Sequence, residues 1–239
     1  MKSIKELAKN PNFIPGIYNY CNRWCERCSF TSQCANYAIG EDRFGDLKNT
    51  DLNNAQFWER LAGVLSETME MVREKAQEFG IDLDNLTEAE KVPDFEDMES
   101  HFLVQLCLKY EKLSTEWFKE SVYVDLETAE FIESKQIELK DATEVIRWYQ
   151  YLIEVKFRRA LLTFTEEDEE FTLIDRNGSA KVALIGIDRS LAAWNVILNV
   201  IKDQAKSILE IVALLRRIKK IAEKQLPDAR SFIRTGLDE

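Results

Sequence analysis

Residues that interrupt regular structure are scarce in this chain: 8 Gly and 4 Pro in 239 residues. Two of those prolines, Pro11 and Pro15, precede the first cysteine. A fold of many short strands needs a turn signal every 10 residues or so. So few breakers instead leave long helices as the main element. With 45% hydrophobic residues, the chain has enough apolar surface to bury a full core. The expected fold is all-α, an antiparallel bundle of four or five long helices.

Apolar periodicity places those helices. Residues 1–46 are irregular, rich in aromatics (Phe13, Tyr18, Tyr20, Trp24, Phe30 and Tyr37 among them), and end in the turn-prone stretch 39–46. They read as a cysteine-rich module docked on a helical domain at 47–239. A first long helix follows Asp51 as N-cap, with Phe57, Leu61, Val64, Leu65, Met69 and Val72 recurring every three or four residues and Gly80 beyond its end. A second runs over 98–119, with Phe102, Leu106, Leu113 and Trp117 on its apolar side. Residues 128–139 form a short helix, and Asp141 with Glu144 resembles a capping box opening the next, 142–164. The acidic run Glu166–Glu170 and the turn signal Arg176-Asn177-Gly178 read as a linker, with a short hairpin between 171–175 and 180–184 as the alternative. Two helices close the chain, 180–200 and 203–224. The former is apolar almost all round and therefore central; the latter carries Ile208, Ile211, Val212, Leu215 and Ile218 on one stripe.

The chemistry is concentrated at the N-terminus. Four of the five cysteines, Cys21, Cys25, Cys28 and Cys34, fall within 14 residues. The first three stand at i, i+4 and i+7, the spacing of one helical face, and Cys34 returns after a five-residue loop. The opening residues have no continuous apolar stretch, so a secretory signal is not expected and a reducing cytoplasm is. In that compartment a tight cysteine cluster binds metal or catalyses rather than forming disulfides. The module holds no His, and an all-sulfur ligand set suits soft metals: an iron–sulfur cluster or zinc. Zinc knuckles place Gly or Pro beside the chelating pair to make a tight turn, and none occurs between Cys21 and Cys34, which favours the cluster. Residues 1–40 also carry five Lys/Arg (Lys2, Lys5, Lys9, Arg23, Arg27) against Glu6 and Glu26, an excess that would offset thiolate charge.

The segment Cys25-x2-Cys28-x5-Cys34 resembles the end of the iron–sulfur loop in endonuclease III-like DNA glycosylases and AddB-type nucleases, which implies a cluster. The resemblance covers those three ligands only. Both families place a longer interval before the first cysteine, and no glycosylase catalytic segment is evident, so DNA repair is not implied. Cys21, Cys25 and Cys28 also match the C-x3-C-x2-C motif of radical S-adenosylmethionine enzymes. That superfamily surrounds its motif with a β/α barrel, for which this chain lacks alternating strands, and has an aromatic where Arg27 stands.

The formal charge of −11 disfavours a nucleic-acid binder. The apolar run 182–201 is interrupted by Asp188, Arg189, Asn195 and Asn199, so it reads as a buried helix rather than a membrane span. His101, the single histidine, is one short of a carboxylate-bridged di-iron site, with Met98 where a Glu is needed; it reads as a surface or capping residue. Cys107 reads as a buried small hydrophobe. Arg216, Arg217, Lys219 and Lys220 read as the wet face of the last helix. Asp188 and Arg189 are expected as a structural ion pair involving Glu144, Arg147 or Glu154, with a ligand-binding role as the alternative, and Asp188→Ala is expected to cost roughly 3 to 5 kcal/mol. No catalytic triad, P-loop or dinucleotide fingerprint is present. The expected function is metal binding in a structural or regulatory role. An iron–sulfur oxidoreductase or electron-transfer component, and an adaptor for a protein partner, are the alternatives.

Overall fold

The computed structural model describes residues 3–45, 54–83, 98–120, 133–162 and 170–238. The chain is all-helical, with no strand among the described residues. Its helices are α1 (Ile4–Ala8), α2 (Ala35–Phe44), α3 (Ala55–Glu78), α4 (Phe102–Glu120), α5 (Glu133–Leu162), α6 (Glu170–Val200) and α7 (Ala205–Gln225). They divide into two compact units, Met1–Val92 with Thr235–Glu239, and Pro93–Arg234.

The apolar core lies in the unit Pro93–Arg234. Helices α5 and α6 run antiparallel, as paired residues show. Arg159 Nε donates to Asp175 Oδ2 at 2.8 Å, and further along Arg189 donates to the Tyr149 hydroxyl at 2.6 Å. Between these points a Cβ on Gly186 would sit 2.8 Å from the Tyr149 ring, so glycine permits the close approach. Helix α6 buries Leu184, Ile187, Trp194 and Ile197, as its all-round apolar character requires. Trp194 is fully buried, meets Trp117 of α4 edge-on at 5.1 Å and donates Nε1–H to the Tyr110 hydroxyl at 3.4 Å. Burial pushes that hydroxyl up to about 12, against the opposing pull of bonds to Ser190 and Trp194. On α7 all five expected stripe residues are buried.

Several expectations shift once packing is known. The capping box at Asp141 is not used: α5 is continuous from Glu133, because Leu139 and Ala142 are buried on the face that continues with Ile146. Asn177-Gly178 forms no turn and lies inside α6, whose early residue Asp175 is buried and held by Arg159. Packing along α5 outweighs a local turn preference. On α4, Leu106 and Trp117 of the expected stripe are buried, together with Leu103, Cys107 and Tyr110, whereas Phe102 is half-exposed and Leu113 partly exposed, so the inner face extends to one side of the expected stripe. Phe102 instead lies beneath the Arg217 guanidinium at 5.4 Å. The expected N-cap Asp51, the first part of the short helix 128–139 and the acidic residues 166–169 lie outside the described residues, while 133–139 form the start of α5.

Asp188 and Arg189 do not form the expected pair. Asp188 receives Lys219 Nζ and Arg230 Nη1, both at 2.7 Å, and its side chain is 39% exposed. Glu154 pairs instead with Arg158 at 2.6 Å. Burial pushes the Asp188 carboxyl up, but the hydrogen bonds and charges of Arg230 and Lys219 outweigh it and hold the group below its ordinary 3.8. Its contribution to stability is therefore complete above that value and is lost as pH falls through the lowered folded value. At this exposure Asp188→Ala is expected to cost about 1 kcal/mol, not 3 to 5, read as a small shift of the denaturant midpoint at neutral pH. The shift should vanish in strong acid.

In the first unit, α1 opens with a capping box in which Ser3 and Glu6 satisfy each other's backbone N–H groups. Glu67 of α3 accepts the Ile4 N–H and pairs with Arg43 of α2 at 2.7 Å; Arg43 is only 6% exposed. One carboxylate thus ties α1 and α2 to α3, and α3 belongs with the cysteine segment rather than with the helices after residue 93. Its N-cap is Asn54, whose side chain accepts the Gln56 N–H, and Gly80 follows its end. Among the described residues one stretch, Thr172–Val200, is long and apolar enough to cross a membrane, and half of its most apolar window is buried inside the protein.

Candidate metal centre

The cysteine segment is a succession of tight turns. Tyr18 O accepts the Cys21 thiol at 3.5 Å. Asn22 Oδ1 accepts the Trp24 N–H at 3.2 Å, a local turn that Asn favours, and Arg23 takes the left-handed region at φ +58°. A 3-10 turn over Cys25–Arg27 brings the Cys28 N–H onto Cys25 O at 3.1 Å. A second, Thr31–Gln33, brings the Cys34 N–H onto Thr31 O at 3.2 Å, and Cys34 then caps α2. Gln33 O accepts the Ile14 N–H at 3.0 Å, which fastens the loop to the segment before it. The expected single helical face is therefore not what gathers the cysteines; consecutive turns are. Nor does the turn need Gly or Pro, because Arg23 adopts the positive φ itself.

These turns aim Cys21, Cys25, Cys28 and Cys34 at one cavity of about 30 Å³, whose wall is completed by Ile17, Tyr18, Trp24, Phe30, Tyr37 and Leu237. The Phe30 N–H donates to Cys28 Sγ at 3.4 Å, the backbone-to-sulfur bond that stabilises a thiolate. Burial, followed by the neighbouring Cys21, Cys34, Cys28 and then Glu26, pushes the Cys25 thiol up. Four thiolates crowded this way repel one another, and a bound cation reverses that balance. Arg27 stacks over Trp24 with its guanidinium carbon 4.2 Å from the ring centroid. Among the described residues no three His, Cys, Asp or Glu side chains are set as they stand to hold a metal ion; the thiols border a common space without forming a closed shell.

No family model, no curated protein and no solved structure matches this chain. The site is therefore read from its own residues. Cys107 is buried in α4 and is not among the residues lining the cavity; its thiol is pushed upward by burial and by Glu154. His101 Nδ1 accepts the Leu103 N–H at 3.2 Å, a capping contact at the start of α4. Sequence reading missed the part played by the C-terminus. Gly236, at φ +70°, lies so close to Ile14 that a Cβ there would be 2.9 Å from a methyl carbon, and this seats Leu237 at the cavity wall. A Gly-Leu pair in a polar tail carries no signal for such a role. The Arg43–Glu67 tie was equally silent, since neither residue stands out among 75 charged side chains (32 Lys and Arg with 43 Asp and Glu).

Proposed function

We propose that Cys21, Cys25, Cys28 and Cys34 together ligate one metal centre, an iron–sulfur cluster, in a cytoplasmic protein whose role is structural or regulatory. The observation that carries this reading is the convergence of all four thiols on one cavity by turns that also direct a backbone N–H at sulfur. The donor set fits: thiolates select soft metals, and the surrounding aromatic wall lowers the local dielectric, which strengthens thiolate–metal attraction. When bound, the centre would cross-link the loop and supply the positive charge that four thiolates need. Arg23, at the cavity, and Arg27, beside it on Trp24, add to that charge. In this reading α4–α7 form an antiparallel bundle, and the metal module is a separate element ahead of it.

Zinc is the second reading. A cavity of about 30 Å³ has room for about two waters, a better match to a single ion than to a cluster, and a cluster would require the four Sγ atoms to spread. The visible spectrum of anaerobically purified protein separates the two. A brown protein with a broad band bleached by dithionite is the expected result. A colourless protein with one zinc per chain selects the second reading, and the absence of both metals overturns the proposal.

A further inference from the structure

Helix α3 presents an apolar stripe to solvent. Trp58 is 52% exposed, Leu65 58%, Met69 50%, Val72 45% and Phe79 76%. With exposed Ala55 and Ala62, and with Ala76, which is itself buried at 7% exposed, they recur in steps of three and four, the seam of a two-stranded coiled coil. The sizes along this seam are complementary about its midpoint. When a second α3 is laid antiparallel with Leu65 opposite Met69, Ala62 faces Val72, Ala55 faces Phe79 and Trp58 comes over Ala76, which is buried and lines a neighbouring cavity, so each bulky side chain meets a small one in the outer layers. Trp58 would also enter a cavity of about 360 Å³ lined by Ala76, Gly80 and Ile81. The same register sets exposed Glu59 against exposed Arg73 at both ends of the pair. Shifting by a heptad loses both charge pairs, and a parallel pair would stack Trp58 on Trp58 and leave Ala62 against Ala62.

We propose that this face binds a second copy of the chain through an antiparallel α3–α3 seam in that register. It stands independently of the metal site. Sedimentation equilibrium of the full-length protein at sub-millimolar concentration tests it. The wild type is expected to be a dimer, and Leu65→Glu to weaken association at least about 100-fold by placing a charge in the central layer, with circular dichroism and metal content unchanged. Glu59→Arg alone is expected to weaken it about tenfold, since two attractions become two repulsions. The double variant Glu59→Arg, Arg73→Glu should restore wild-type affinity. A monomeric wild type, a dimer indifferent to Leu65→Glu, or a charge reversal that the double variant fails to rescue would each overturn the proposal.

Discussion

Replacing Cys25 and Cys28 together by serine is expected to strip the protein of its metal and to unfold the segment around residues 14–37, leaving the helices of Pro93–Arg234 in place. The reason lies in how little else holds that segment. Among the described residues of the first unit, the well-buried apolar side chains are Ile17, 3% exposed, and Ala76, 7% exposed; every cysteine of the cluster is only half-buried. So thin a core does not offset the conformational entropy of ordering the loop. A structural metal contributes on the order of 10 kcal/mol or more to such a segment, far more than turns and a few hydrogen bonds. Hydrogen exchange should show loss of protection at the Cys28, Gln33, Cys34 and Ile14 amides, with α4–α7 amides unchanged. Far-ultraviolet circular dichroism should fall only by the share of the N-terminal helices. Collapse of the entire helical signal would show that the second unit depends on the site.

Trp194→Ala is expected to destabilise the second unit by about 3 to 5 kcal/mol. The side chain is fully buried, and its removal deprives Trp117 and Phe118, at 5.1 and 5.9 Å, of a ring partner that both share. It also leaves the buried Tyr110 hydroxyl without the Nε1–H donor, which adds to the cavity cost. Equilibrium urea unfolding should show a large fall in midpoint at an unchanged slope. A loss below 1 kcal/mol would mean that the site collapses around the gap and that Trp194 is not the centre of the core.

What the sequence shows of this fold is what depends on composition and period. The shortage of Gly and Pro and the three- and four-residue spacing are enough for an all-helical chain, for α3 and α7 within a few residues, and for the buried stripe on α7. Ends governed by packing are not legible. The Asp141 capping box and Asn177-Gly178 are strong local signals, yet each lies inside a long helix because burying Leu139 and Ala142, or anchoring Asp175 on Arg159, outweighs about 1 kcal/mol of capping or turn preference. Grouping of elements was also hidden. The ion pair of Glu67 with Arg43 and the seat of Leu237 at the cavity join residues that are 24 or more positions apart or at opposite ends of the chain, and no periodicity encodes such contacts. Density singled out Cys21, Cys25, Cys28 and Cys34 as candidates, but their spacing suggested one helical face, whereas successive turns bring them to the border of one cavity.

The metal-to-protein ratio of anaerobically purified chain, measured beside five single variants, decides the matter most directly. One centre per chain is expected in the wild type and in Cys107→Ser, and substantial loss in each of Cys21→Ser, Cys25→Ser, Cys28→Ser and Cys34→Ser. A wild type free of both iron and zinc, or a metal content that the four variants leave unchanged, would contradict the assignment of these cysteines to a common centre.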